Sequence, residues 1–338
     1  MQKKIVALAV AGLSTAAFAQ TNVTIYGVAD VSFQGFNASN VKNPLAAGVD
    51  GGNSTSVQSN SSLIGFKGTE DLGNGLKALF QAETEMNLAG NRNTDNTTSG
   101  QGASVQTRTS AFTNLRDSYV GLSSKYGTGL AGYLSTPFRS SLTSFDVMPG
   151  ATGSSQIDVQ MGSMRLSGVT GFSSAIRGSA VAYAMPTLYG FDASVAYVGS
   201  NLNGASNSIT PSACTTGSAC SIAPISAWGL NLGWTGYGLN IKGAFQQANN
   251  NVSNVANLGT NNIGDYTSYL VGAGYTGIQN LKTSVVYIRN SLGTNGVSPL
   301  STGGANKISN NQLYAGVSYR IGNWEPRVSA SWSSDVNG

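Results

Sequence analysis

The sequence predicts an all-β chain: a transmembrane antiparallel up-and-down β-barrel. Three observations carry this. Apolar residues recur with period two in segments of about ten residues, the pattern of strands with one dry and one wet face. The gaps between those segments alternate strictly between short turns and long loops rich in Asn, Ser, Gly and Thr. Charged residues make up 9% of the 338 residues, against about 25% in soluble globular proteins. In hydrocarbon every backbone N–H and C=O needs an internal partner, and a closed sheet supplies one without leaving an edge. A secreted β-sandwich or β-solenoid also alternates, but a solenoid has a fixed sequence period and none is found here.

Thirteen segments alternate: 22–36, 61–70, 76–88, 114–124, 129–137, 178–186, 191–201, 227–235, 238–250, 267–276, 281–291, 311–321 and 325–334. In the first, Val23, Ile25, Ala29, Val31 and Phe33 share one face, with Thr24, Asp30, Ser32 and Gln34 on the other. In the third, Phe80, Ala82 and Met86 oppose Lys77, Gln81, Glu83 and Glu85. In the ninth, Leu239, Ile241 and Phe245 oppose Asn240, Lys242 and Gln246. In the twelfth, Leu313, Ala315, Val317, Tyr319 and Ile321 oppose Gln312, Ser318 and Arg320. Short gaps hold turn residues, as in DLGNG at 71–75, KYGT at 125–128 and GNW at 322–324. Long gaps fall at 37–60, 89–113, 138–177, 202–226, 251–266 and 292–310. No segment has helical periodicity, and no mature stretch has the 18 or more apolar residues of a transmembrane helix.

The first twenty residues have a basic start at Lys3 and Lys4, an apolar run from Ile5 to Leu13, and Ala17-Phe18-Ala19 as a small-residue cleavage motif. They predict a secretory signal peptide over 1–19, cut between Ala19 and Gln20, with 20–338 as the barrel domain. The apolar run is too short for a membrane anchor. Loss of the two lysines takes the net charge from +4 to +2 and leaves no basic tract for nucleic acid.

The chain contains no His, which removes His-based triads and imidazole metal sites, and its two Cys cannot build a zinc or iron–sulfur site alone. No phosphate loop, dinucleotide motif or metal-ligand cluster is present, so no cofactor, no metal and no enzyme activity are expected. Cys214 and Cys220, six residues apart in the fourth long gap of an exported chain, predict a loop disulfide.

Several strings carry a family resemblance: NVTIYGVADV at 22–31, SLIGFKGTEDLGNGLKALFQAE at 62–83, RDSYVGL at 116–122, YLSTPFRSS at 133–141, IRGSAVAYAMPTLYGFDASVAY at 176–197 and LYAGVSYRIGNWEPRVS at 313–329. Together they resemble the general outer-membrane porins of Gram-negative β-proteobacteria, the Neisseria and Comamonas type. The resemblance implies a 16-stranded barrel, a homotrimer in outer-membrane lipid and lipopolysaccharide, and passive diffusion of small hydrophilic solutes and ions. It also implies that the third long loop, 138–177, bends into the lumen and narrows it. Thirteen strands against sixteen lead to the expectation that C-terminal strands are missing from this sequence.

Pore function would rest on lumen charges. Alternation places Lys67, Lys77, Arg116, Lys242, Lys282, Arg320 and Arg327 inward, against Asp30, Glu83, Glu85, Asp192 and Glu325. The third loop adds Arg139, Asp146, Asp158, Arg165 and Arg177, which nearly cancel. Basic rings favour anions, so a mild anion preference is expected. Arg116 matches the family's motif, whereas Leu63 and Tyr133 stand where relatives often carry arginines. Most aromatics, Tyr119 included, fall on the outward parity as interfacial girdles, leaving Tyr26, Tyr133 and Tyr314 as inward candidates. A surface adhesin using the long loops is the alternative from another class.

Overall fold

The computed structural model describes residues 22–37, 53–89, 112–149, 157–161, 163–166, 169–173, 175–199, 221–222, 226–249, 252–253, 265–293 and 307–336. The segment 1–19 with its cleavage point at Ala19 and Gln20, the Cys214 and Cys220 pair, and much of the long loops lie outside the described residues.

Thirteen wall strands match the thirteen alternating segments. They are β1 (Asn22–Val28), β2 (Leu63–Gly73), β3 (Leu76–Met86), β4 (Ser118–Ser124), β5 (Gly127–Ser135), β6 (Arg177–Ala184), β7 (Phe191–Val198), β8 (Ser226–Gly236), β9 (Leu239–Asn249), β10 (Tyr266–Tyr275), β11 (Leu281–Gly293), β12 (Lys307–Tyr319) and β13 (Arg327–Ser333). Each lies in one sheet beside the next in chain order, and the pairings are antiparallel. This is the up-and-down topology that short turns and long loops dictate.

The first alternating segment is shorter than the pattern suggests. β1 ends at Val28, and Val31–Asn37 pairs instead with Asn53–Ser59 as a separate hairpin. The reason is Asp30. Its N–H donates to Ser62 Oγ (3.0 Å), its carbonyl accepts from the Ser62 hydroxyl (2.8 Å), and its carboxylate accepts from Asn60 Nδ2 (3.0 Å). The chain is tied down there and leaves the wall. The fourth segment breaks in the same way at Arg116 and Asp117, between Phe112–Leu115 and β4.

The absence of helix is corrected by two short helices inside the third long gap, α1 (Pro137–Ser144) and α2 (Ile157–Met161). At eight and five residues they are too short to impose a visible 3.6-residue period. Thr136 caps α1 by accepting the Arg139 N–H, and Pro137 opens the helix where no amide donor is needed.

Residues opposite each other across a ladder share a face, so the register fixes which face is inside. One row runs from Asp71 through Lys77, Ser123, Thr128, Ala184, Ser194, Asn231, Ala244, Leu270, Ile288 and Gln312 to Ser333. Ala244, Leu270 and Ile288 of this row pack against α1 and the residues after it, so the row faces the lumen. The opposite parity is exposed and aromatic. Tyr197, Trp228, Tyr269, Tyr287 and Trp332 stand toward the loop end, and Tyr183, Trp234, Tyr275 and Tyr319 toward the turn end. These are the two girdles expected at the two faces of a bilayer.

Three of the short turns are tight hairpin turns with positive φ at both central residues: Asn74-Gly75, Tyr189-Gly190 and Tyr237-Gly238. Asn suits that conformation; a tyrosine adopts it at a cost of roughly 1–2 kcal/mol.

Candidate functional site: an inward loop and the wall it faces

The loop leaves the wall at a fixed root. The Asp117 carboxylate accepts the Ser135 N–H (2.9 Å), the Ser135 hydroxyl (3.0 Å) and Arg177 Nε (2.8 Å). It thereby joins the start of β4, the end of β5 and the start of β6. Beyond the root, Thr136 Oγ1 donates to Gln246 Oε1 of β9 at 2.6 Å, which turns α1 across the lumen.

Next the loop is seated on β10, β11 and β12. Phe138, Leu142, Phe145, Val147, Ile157 and Met161 are buried against Leu270, Val286, Ile288 and Tyr314. The seat is made by missing side chains: a Cβ at Gly272 would overlap the Phe145 ring, and one at Gly316 would press on Val147. Polar contacts complete it. Ser284 Oγ donates to the Phe145 carbonyl (2.6 Å), Lys282 Nζ to the Asp146 carbonyl (2.6 Å), and the Val147 N–H to the Tyr314 hydroxyl oxygen (3.4 Å).

Two charged groups on the loop are shielded from water, Asp146 buried and Arg139 partly buried. Arg139 pairs with Asp158 at 2.7 Å, and burial pulls its guanidinium below its ordinary value while Asp158 opposes the shift. The Asp146 carboxylate accepts the Met148 N–H (2.8 Å) and the Ile157 N–H (3.4 Å), closing the loop tip. Burial raises its pKa, and those two amides counteract it. A native carboxyl above its unfolded value binds its proton first in the native state. Its contribution therefore favours the fold increasingly as pH falls from the raised native pKa toward the unfolded value of about 3.9. Asp146→Asn removes this dependence. The expected result is that the variant gains less, or loses more, stability to urea than the parent when pH falls from 7 to 4, measured in detergent micelles.

The facing wall belongs to β1–β4. The Tyr26 hydroxyl donates to Glu83 Oε1 at 2.6 Å, and its ring crosses Gly65, where a Cβ would collide with it. Arg116 lies 3.7 Å from Glu83 Oε2, and its buried Nε has no hydrogen-bond partner among the described residues. Lys67 stands over the Tyr26 ring at 5.0 Å. Beside it a groove of about 300 Å³ is lined in part by Asn22, Thr24, Lys67, Thr69, Gln81 and Tyr119.

The structure thus brings Lys67, Glu83 and Arg116 together on one wall and Arg139 and Asp146 on the loop. Glu85 is buried on the inner face opposite Leu63, and Lys77 is inward near the β2–β3 turn. Lys242 is inward beside Gly272 and Gly233, the latter paired with Asp192. Asp30 serves the network with Asn60 and Ser62 where the wall ends. Arg320 and Arg327 gather instead on Glu325 in the turn before β13, at 2.9 and 3.1 Å. The two guanidinium groups hold the Glu325 carboxyl below its usual value, Arg320 acting most strongly.

Two tyrosines change sides. Tyr133 is in register with Ser179, on the face of Val181, and so points outward. Tyr119 is in register with Gln81 and donates to its side chain, so it is inward. The break at Arg116 and Asp117 sets the phase of β4, and the alternation alone does not reveal it. Tyr314 is inward as expected but buried under the loop. Asp117, Thr136, Phe145 and Gln246 were not foreseen; the inward glycines Gly272, Gly274 and Gly316 were the available signal for a docked loop.

An antiparallel wall with two aromatic girdles and a loop docked on its inner face is a barrel of the bacterial outer membrane. The chain belongs to the Gram-negative porin family, whose model matches residues 6–338. It is 35% identical over 139 residues to the major outer membrane protein P.IB of Neisseria gonorrhoeae, covering 41% of this chain and 34% of that protein. Outer membrane porin protein 32 of Delftia acidovorans is 37% identical over 153 residues, 45% of this chain and 37% of its own length. These two matches span about a third of the relatives' length. The major outer membrane protein P.IA of Neisseria meningitidis aligns over 99% of this chain and 85% of its own, at 27% identity. Among solved structures, the anion-selective porin from Comamonas acidovorans superposes with a TM-score of 0.62 at 21% identity, covering 92% of this chain and 78% of that one. These likenesses establish the barrel fold.

Proposed function

We propose that the chain forms a water-filled channel for passive diffusion of small hydrophilic solutes and ions, and that it is not an enzyme. One observation carries this reading: the loop residues 136–149 and 157–161 lie against the inner wall, anchored through Gln246, Lys282, Ser284 and Tyr314, where they set the width of a passage. The passage is framed by Lys67, Glu83 and Arg116 opposite Arg139. Arg116 and Arg139 each stand beside a carboxylate, so the fixed charges largely offset one another and the anion preference is mild. The relative named as anion-selective supports the sign.

The sheet has two edges, β1 and β13, among the described residues, and a closed barrel in hydrocarbon needs both of them paired. A homotrimer of such barrels, exported by the signal peptide 1–19 and surrounded by outer-membrane lipid and lipopolysaccharide, completes the reading. The test is reconstitution of the folded full-length protein in a planar bilayer under a salt gradient. Conductance in steps of three, with a reversal potential of the sign for anions, is expected. A folded barrel that does not conduct rejects the channel and favours the adhesin.

A further inference from the structure

Five of the six short turns of the wall carry a large apolar residue; the turn at Asn74-Gly75 does not. Tyr126, Tyr189, Tyr237, Ile278 and Trp324 occupy those five in chain order, and all five side chains are exposed. The four aromatic tips are the barest: Tyr126 is 73% exposed, Tyr189 97%, Tyr237 94% and Trp324 80%. Water alone gives no reason for this, because a tight turn at the end of a strand is cheapest when polar. Tyr189 and Tyr237 make the point directly. They hold positive φ in turns that Asn74 makes elsewhere in the same wall, so their rings are kept against a backbone preference.

The tips are continuous with the girdle above them. Trp234 and Tyr237 have ring centroids 6.3 Å apart, and the Tyr183 hydroxyl donates to the Tyr126 carbonyl. Cations stand among the rings: Lys125 lies over the Tyr126 ring at 5.0 Å, and Arg320 and Arg327 share the turn of Trp324. Amphipathic rings with interleaved cations match a layer that offers apolar glycerol and acyl edges together with phosphates.

We propose that these five turn residues form a second tier below the girdle, which seats the barrel in the phospholipid headgroup layer of the leaflet that the short turns face. The tier sets the depth of the barrel and takes no part in the passage. It rests on the membrane-spanning wall, not on conductance. A barrel that fails to conduct leaves this tier intact, and a tip found in water leaves the channel intact.

The test uses the full-length folded protein with Trp228, Trp234 and Trp332 replaced by Phe, so that Trp324 is the sole indole. In vesicles of phosphatidylethanolamine and phosphatidylglycerol, Trp324 emission is expected to fall with headgroup-nitroxide lipid and to be shielded from iodide relative to the protein in detergent. Quenching by iodide at the detergent level, with no response to headgroup label, places the tip in water, open to a soluble partner, and overturns the proposal. A second variant, Tyr189→Asn with Tyr237→Asn, relieves the left-handed strain. It is expected to melt no lower than the parent in detergent, yet to show a smaller folded fraction in vesicles. Equal or better folding in both media overturns the proposal as well.

Discussion

Replacing Gly272 by leucine lowers the single-channel conductance of the reconstituted barrel and destabilises it by roughly 1–3 kcal/mol, the usual cost of overpacking. The position has no room for a side chain because the Phe145 ring occupies it. Phe145 is 1% exposed, and its carbonyl is held by Ser284, so the ring has no alternative pocket on the wall. The loop must therefore rise from β10 and β11. It then moves into the passage, which narrows. Phe145→Ala empties the seat and restores room for the leucine. The double variant is accordingly expected to recover conductance toward the parent, and the cycle of four proteins measures the coupling between the two positions. Unchanged conductance in Gly272→Leu, in a protein that still folds, would mean that the loop does not limit the current.

The fold was legible because the bilayer imposes a simple code. Leu313, Ala315, Val317 and Tyr319 alternate with Gln312, Ser318 and Arg320 since lipid and water act on opposite faces of one strand, and the same code placed all thirteen wall strands. It failed where local polar chemistry overrides the alternation. Asp30 closes a network with Asn60 and Ser62 and ends β1, and Asp117 gathers Ser135 and Arg177 and resets the phase of β4. Tyr119 faces inward for that reason, whereas Tyr133 faces outward because the apolar Leu130 and Leu134 take the inner face of β5. The site was less legible than the wall. Lumen charges such as Lys67, Glu83 and Arg116 follow from parity, but the neighbours of a loop residue do not. Arg320 and Arg327 have inward parity yet belong to a turn cluster with Glu325, because a shared carboxylate draws both guanidinium groups. The docking of Phe145 is written only in the small size of Gly272 and Gly274, a signal that alternation ignores.

Glu83→Gln shifts the reversal potential in the direction of anions, more than any other single neutral replacement among the wall carboxylates. Glu83 is the group that Arg116 approaches at 3.7 Å and to which Tyr26 donates. Its replacement keeps the shape and an acceptor for the tyrosine, since Gln Oε1 takes the same hydroxyl. It removes the negative charge that screens Arg116, whose Nε makes no hydrogen bond among the described residues. A cation in a narrow passage offsets part of the hydration that an anion sheds there. Under a tenfold salt gradient the potential is expected to move toward, and stop short of, the ~59 mV limit for a perfectly selective monovalent pore. Glu325→Gln serves as the contrast. It removes an equal charge in the turn with Arg320 and Arg327, 65% exposed at Arg320, where solvent and salt screen the field, and it is expected to leave the potential near that of the parent. Equal shifts from the two variants would show that selectivity follows total charge and not the wall facing the loop. A shift confined to Glu83→Gln would locate the filter where Tyr26, Glu83 and Arg116 meet the passage.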